Sequence, residues 1–478
     1  MDNVLYRTAR EMIADLDAKK ISARELLDAH VARKDALHKT LNAVVTTDLE
    51  RARRNADAID QARAKGETLG PLAGIPMTIK DGYDVENMPA TSGNPLYAKR
   101  DKACTDAVVV KAARDAGAVI WGKTNVPLML GDFQSYNDIY GTTNNPYDVT
   151  RTPGGSSGGA AAALAAGITP LEIGSDIGGS LRHPANFCGV CSLKPTWGVL
   201  SSRGQIPPPP RRYSESDLGV VGPMARNTGD LRLLWNVLRG HAGASPKPIK
   251  GARVAVWDDE PGFPLSREAK AGIARAADAL ADAGVVVERK RPPVNGMELM
   301  DVYLGLLTPI VASGLPEAML QSFEAQRADD LAAKQKGVGL FNMAAYRLRA
   351  TASYREVVAH MTRRQAMKDD LEAFFAEGWQ AILSPISIMP AFPHLHQPSF
   401  NERMLELEGE SVPYGTMLYW IALATALLGP SLAVPAGQTD AGLPTGAQIM
   451  GPSGGEDRLF DFAGAIEERL GGFKPPRL

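Results

Sequence analysis

The sequence predicts an α/β protein in which helices cover a layered sheet, and two observations carry that expectation. From Pro71 onward, apolar strand-like runs alternate with helical patterns: GIPMTIKD, then AVVVKAARDAGAVIWGKT, then AAAALAAGITPLEIGSD. Alternation of this kind builds a sheet with helices packed on it. At 478 residues the chain is also long enough to bury a large core, although length alone leaves one domain or several open.

Residues 1–65 read as a helical region. Thr8 or Ser22 is placed to cap helices such as ARELLDAHVARKDAL, whose apolar positions recur at helical spacing. GIPMTIKD reads as a buried strand, the Ala107–Thr124 stretch as helix–turn–strand, and AAAALAAGITPLEIGSD as helix–strand. After Trp197 the chain turns loop-rich, and the four prolines Pro207–Pro210 fit neither helix nor central strand, so they form a stiff surface connection. The boundary GASPKPIKG precedes another strand–helix unit that begins at RVAVWDD. Residues 297–375 are expected to be mostly helical, a cover region or ordinary helical core. AILSPISIMPAF and SLAVPAGQTDAGLPTGAQIMGP then read as strands with turns, and DRLFDFAGAIEERL as a closing helix.

Charge and composition exclude several function classes. Lys plus Arg number 52 against 54 Asp plus Glu, and the pairs Arg53–Arg54, Arg211–Arg212 and Arg363–Arg364 are scattered. Nucleic-acid binding therefore has no electrostatic footprint. The N-terminus is charged and amphipathic, unlike a secretory signal, and the alanine run Ala160–Ala166 is too short to cross a bilayer. The three cysteines, Cys104, Cys188 and Cys191, suggest neither a disulfide framework nor, without a second ligand pair, a zinc site. These features describe a soluble protein of a reducing compartment, the cytoplasm.

The most informative stretch runs from Thr152 to Thr196: TPGGSSGGAAAALAAGITPLEIGSDIGGSLRHPANFCGVCSLKPT. It holds two glycine-flanked serine sites, Ser156 and Ser180. Glycines around a serine allow positive φ and close backbone approach, so a hydroxyl can stand beside free N–H groups, as acyl transfer needs. Neither serine lies in a G-x-S-x-G elbow, and Lys80 at the end of an apolar run offers an alternative base. Other readings of the same residues stand beside this one. Lys80 could be a strand-end lysine reaching water, GGSSGG a flexible loop or a phosphate cradle lacking its G-K-[ST], and Ser157 the relay in place of Ser156. His183, three residues after Ser180, invites a serine–histidine reading, with no third triad member apparent.

Together these motifs resemble the amidase signature family, serine hydrolases that cleave amides with a Ser–cis-Ser–Lys triad. GIPMTIKD is similar to the family's lysine strand, PGGSSGG to its cis-serine loop, GSDIGGSLRHPANFCGVCSLKPT to its nucleophile segment, and GLPTGAQIMGP to a further element. The likeness runs from Leu72 through Gly451. It implies a single α/β/α layered domain over residues 66–478 with a central mixed sheet, and no metal or organic cofactor. It also implies Ser180 as nucleophile, Ser156 as bridge with a cis Gly155–Ser156 bond, and Lys80 as base. The N–H groups of Ile177, Gly178, Gly179 and Ser180 would form the oxyanion hole, with Asp176 and Arg182 supporting the turn. A buried lysine favours its neutral form, which is the form able to take a proton.

Pocket residues follow from the same resemblance. Met129, Gly131, Asp132, Phe133, Gln134 and Tyr136 are expected to line the acyl side, and the proline loop with Tyr213 and Asp217 to form part of the entrance. Leu128, the NPYD form at Asn145–Asp148 and Ala160 depart from the family's commoner residues; they bear on substrate preference and leave the expected triad intact. The expected activity is hydrolysis of small carboxamides, of the aryl acylamidase or urethanase type, extending to esters and carbamates. The expected partners are a small-molecule amide and water, with no nucleic acid and no membrane, in a monomer or homodimer. The alternatives are a glutamine-hydrolysing subunit of a tRNA-dependent amidotransferase, or a non-catalytic binding protein on the same fold.

Overall fold

The computed structural model describes residues 2–205 and 215–478; the proline run Pro207–Pro210 and Tyr213 lie outside them. Helices open the chain where the caps are expected. Thr8 and Ser22 each close a capping box, with Glu11 and Glu25 respectively, at the starts of helices Ala9–Asp17 and Ala23–Leu41. The helical stretch is interrupted by a strand, Val44–Thr47, before helix Leu49–Ala64.

That strand runs antiparallel to Val119–Thr124, which in turn pairs parallel with Pro76–Lys80, placing Lys80 opposite Thr124. Beside this three-stranded sheet lies an eight-stranded one. Its order is Val286–Arg289, Arg253–Val256, Trp379–Pro385, Pro444–Met450, Ser431–Gln438, Cys191–Lys194, Val220–Ala225 and Leu171–Asp176. The first three strands pair in parallel and the rest antiparallel, so the sheet is mixed. Cys191–Lys194 and Val220–Ala225 fall in a segment whose turns and prolines obscure their short, wholly buried runs.

Alternation along the strands divides the interior into two cores, one on each face of the sheet. Val254, Val256, Leu383, Leu432 and Val434 join the core under helices Thr228–Leu238, Arg267–Asp282 and Glu456–Leu470. Their neighbours Ala255, Ile382 and Ala433 join the core under Arg182–Cys188, Gly296–Ala312 and Tyr354–Ala376. The result is the α/β/α layering expected, with a large central mixed sheet. The helical region around residues 297–375 comprises Gly296–Ala312, Glu317–Ala325, Arg327–Gln335, Met343–Ala350 and Tyr354–Ala376. Asp217 is tied to the last of these by an ion pair with Arg364 at 2.7 Å.

The alanine run forms helix Gly158–Ala165, buried along its whole length. Protein surrounds it on every side, and all its residues but Leu164 are glycine or alanine. Among the described residues no helix is long and apolar enough to cross a membrane. In an exposed helix, Gly→Ala stabilises by about 1 kcal/mol. At Gly159 an added Cβ would lie 2.4 Å from the Asn125 nitrogen and 2.6 Å from its carbonyl oxygen, both backbone atoms that cannot step aside cheaply. Gly159→Ala is therefore expected to destabilise the protein by about 1–3 kcal/mol, the usual range for overpacking; a raised thermal midpoint would contradict this packing.

Candidate active site

The two sheets meet edge to edge. Pro76–Lys80 is the outer strand of the small sheet and Leu171–Asp176 the outer strand of the large one, and side chains stitch the seam. The Thr78 hydroxyl donates to Glu172 at 2.7 Å, the Thr78 N–H donates to Thr169 Oγ1 at 3.3 Å, and the Tyr83 hydroxyl donates to the Gly174 carbonyl at 2.6 Å. Lys80 ends its strand inside this seam with no exposed surface. Its Nζ lies 2.8 Å from Ser156 Oγ, 2.9 Å from Ser157 Oγ and 2.9 Å from Ser175 Oγ. None of these partners is a carboxylate. Burial pushes Lys80 down to about 7, against the opposing pull of Asp176 and Glu172. A neutral amine has two hydrogens and one lone pair, so three hydroxyls match it when one of them donates.

The serine loop reaches Lys80 because its glycines allow it. A Cβ on Gly155 would stand 2.5 Å from the carbonyl oxygens of both Asp132 and Gln134, and Gly154 adopts a φ of +90° against Pro184. The Gly155–Ser156 peptide bond is cis. The Ser157 N–H donates to the Ser180 carbonyl at 3.3 Å, which joins this loop to the turn that carries Ser180. Ser156 and Ser157 thus both touch the lysine, so the relay expected at Ser156 has a neighbour with the same reach.

The turn after Asp176 is held by a fully buried ion pair. Arg182 Nη2 and Nε donate to Asp176 at 3.0 and 3.1 Å, and its remaining groups donate to the Ile421 carbonyl, Gln448 and Thr425. Burial alone would push Asp176 up, but the Arg182 charge and hydrogen bonds outweigh it and hold the carboxyl down at about 2. Asp176 also accepts from the Gly179 N–H at 2.9 Å and the Leu181 N–H at 3.1 Å. The Gly179 N–H, one of the four N–H groups the resemblance implies as oxyanion donors, therefore points to Asp176.

His183 is wedged under the same turn. Its ring would lie 2.4 Å from a Cβ on Gly179, where φ is +89°, and it packs edge-on to Phe133 at 5.4 Å. Burial, with Arg182 adding to it, pushes His183 down to about 3, so the ring is a neutral packing element. Cys188 and Cys191 are buried free thiols, Cys104 is exposed, and no group of three His, Cys, Asp or Glu able to hold a metal ion occurs among the described residues.

Several of the expected pocket side chains have partners within the chain. Asp132 is ion-paired with Arg403 at 2.5 Å and accepts from the Tyr414 hydroxyl at 2.6 Å and the Tyr136 hydroxyl at 3.1 Å. Gln134 Nε2 donates to the Leu395 carbonyl at 2.6 Å, while its Oε1 accepts from the Leu395 N–H at 2.8 Å. The polar groups of Asp132, Gln134 and Tyr136 are thereby satisfied within the chain, and they brace the loop that Gly155 packs against. Phe133 packs among His183, Phe400 and Tyr414; Met129 accepts a contact from Asn94 at a φ of +52°, and Gly131 is exposed. Around Gly178 and Gly179 the nearest side chains are Leu418, Tyr303, His183 and Ile421. Tyr303 and Glu172 were not singled out from sequence: each is a lone polar residue inside an apolar run, and only the fold shows what it meets.

Comparison with known proteins adds an independent line. Residues 25–460 match the Amidase family. The chain is 32% identical to the A subunit of the glutamyl-tRNA(Gln) amidotransferase of Heliobacterium modesticaldum, with 97% of each chain covered. It resembles a chain of an unexpected vestigial protein complex that reveals the origins of an s-triazine catabolic enzyme, at 27% identity and a TM-score of 0.81, covering 98% of this chain and 100% of that one. A solved amidase matches at 26% identity and a TM-score of 0.78, covering 97% and 100%.

Removing one member of a buried ion pair leaves the other charge stranded. Arg182→Ala is therefore expected to cost about 3–5 kcal/mol in urea unfolding, and a loss below about 1 kcal/mol, the surface-pair range, would contradict the role given to the Asp176–Arg182 pair.

Proposed function

The chain belongs to the amidase family, and on that footing we propose that it hydrolyses amide C–N bonds through an acyl-enzyme on Ser180. The observation that carries this reading is the buried, carboxylate-free amine of Lys80 at 2.8 Å from Ser156. Neutral Lys80 takes the Ser156 proton as Ser156 takes that of Ser180, and Ser180 Oγ bonds to the substrate carbonyl carbon. The N–H groups of Ile177, Gly178 and Ser180 receive the negative oxygen that forms. As the C–N bond breaks, the proton returns through Ser156 to the leaving nitrogen. Water then repeats the sequence on the acyl-Ser180 ester, releasing the acid and restoring the serine.

Two substrate readings follow, each with its own support. Leu418, Ile421, Tyr303 and Phe133 near the turn, with Asp132 and Arg403 paired to each other, favour small carboxamides whose acyl part is uncharged, with esters and carbamates passing through a similar tetrahedral species. The similarity along the whole chain to the A subunits of glutamyl-tRNA(Gln) amidotransferases favours hydrolysis of glutamine inside a multi-subunit enzyme that serves glutamyl-tRNA(Gln). The comparisons back this second reading better than the small-amide one. It also calls for partner subunits, where the sequence alone suggests a monomer or homodimer; the neighbour found in a vestigial complex points the same way.

A panel of an aliphatic amide, an anilide, an aryl carbamate, a nitrophenyl ester and glutamine separates the readings. We expect amide turnover that Ser180→Ala lowers by at least about 10⁴-fold, and that Lys80→Ala and Ser156→Ala reduce severely with the fold intact. Glutamine alone, with partners copurifying, selects the amidotransferase reading, and no turnover on any member overturns the hydrolase. Protonating Lys80 removes the base, so kcat/KM should fall as pH drops below about 7. A flat profile down to about pH 5, where a base of that kind is protonated, would contradict Lys80 in this role.

A further inference from the structure

The turn that carries Ser180 is gripped from two sides. On one side Asp176 accepts from the N–H groups of Gly179 and Leu181. On the other, Tyr303 reaches in from helix Gly296–Ala312 and donates its hydroxyl to the Ile177 carbonyl at 2.6 Å. Tyr303 has no exposed surface, and its oxygen would stand 3.8 Å from a Cβ on Gly178, so it is against the turn itself. The Ile177–Gly178 bond is trans, and in a trans planar peptide the C=O and the following N–H point in opposite directions. Fixing the direction of the Ile177 oxygen therefore fixes that of the Gly178 hydrogen.

We propose that Tyr303 is a positioning residue for the oxyanion hole, holding the Ile177 carbonyl so that the Gly178 N–H is aimed before substrate arrives. This rests on the hydrolase reading above and extends it: a helix outside the triad segments becomes part of the catalytic apparatus, acting through the backbone. Glycine at 178 leaves the peptide free to rotate, so an external anchor is needed where Asp176 supplies none. Burial pushes the Tyr303 phenol up, and the hydroxyl keeps its proton as a donor.

Tyr303→Phe removes one oxygen and keeps the ring. Donors of this kind act on the transition state and lose their effect when misdirected, so kcat should fall about 10- to 100-fold with KM within about twofold of wild type. Affinity for a boronic acid that forms a tetrahedral adduct on Ser180 should fall by a similar factor, with the thermal midpoint read in parallel to show a folded protein. A merely structural tyrosine would leave the boronate affinity of the folded enzyme unchanged. With wild type active and Ser180→Ala dead, unchanged kcat and boronate affinity in Tyr303→Phe overturn this proposal alone, as does a change confined to KM. A wild-type enzyme that turns over no amide overturns the hydrolase reading and this proposal with it.

Discussion

A lysine amine cut off from water and given only hydroxyls for partners is the constraint on which the rest of this structure depends. Lys80 and Lys123 lie on adjacent strands and both are fully buried, yet their surroundings differ. Lys123 has a carboxylate, Asp81, at 2.7 Å and two carbonyl acceptors, the environment of a charged side chain. Lys80 has three serine oxygens. Glu172, an acid built into the same seam, is pushed up to about 8 by burial, against the hydrogen bond from Thr78. Desolvation outweighs the opposing pull of Asp176 and Glu172, so burial sets the lysine's state.

Keeping that amine dry explains the architecture around it. The seam between two sheet edges is closed by the alanine helix Gly158–Ala165, which can approach because its residues are small, and by the glycine loop that crosses Asp132 and Gln134. Rigidity comes from polar networks: Asp176 with Arg182 beneath the Ser180 turn, and Asp132 with Arg403, Tyr136 and Tyr414 beneath the neighbouring loop. Replacing such buried pairs with apolar residues can leave stability unchanged. Their value here lies in direction, since each accepts or donates to a defined backbone or side-chain group.

Much of this was legible in the sequence, for physical reasons. Local signals survive folding, so Thr8 and Ser22 cap as their capping-box partners Glu11 and Glu25 indicate. The α/β/α layering follows from strand and helix runs that alternate. Ser156 and Ser180 stand out in the sequence because glycines flank them, and Lys80 because it ends an apolar run. What could not be read depends on distant chain segments. The strand Val44–Thr47 exists because Val119–Thr124 pairs with it. The partners of Asp132 and Gln134, Arg403 and Leu395, come from more than 250 residues away along the chain. Tyr303 lies 126 residues from the carbonyl it holds, inside an apolar helix whose periodicity announces packing and nothing else.

Burial should leave Lys80 an uncharged amine above pH about 7, and its Nζ can be observed directly. Lysine labelled with ¹³C at Cε and ¹⁵N at Nζ, with Lys80→Met used to assign the signal, gives the protonation state across a pH series by NMR. A midpoint near 7, with a neutral amine above it, is expected. An ammonium signal that persists to about pH 9, approaching the ordinary lysine range, would contradict it.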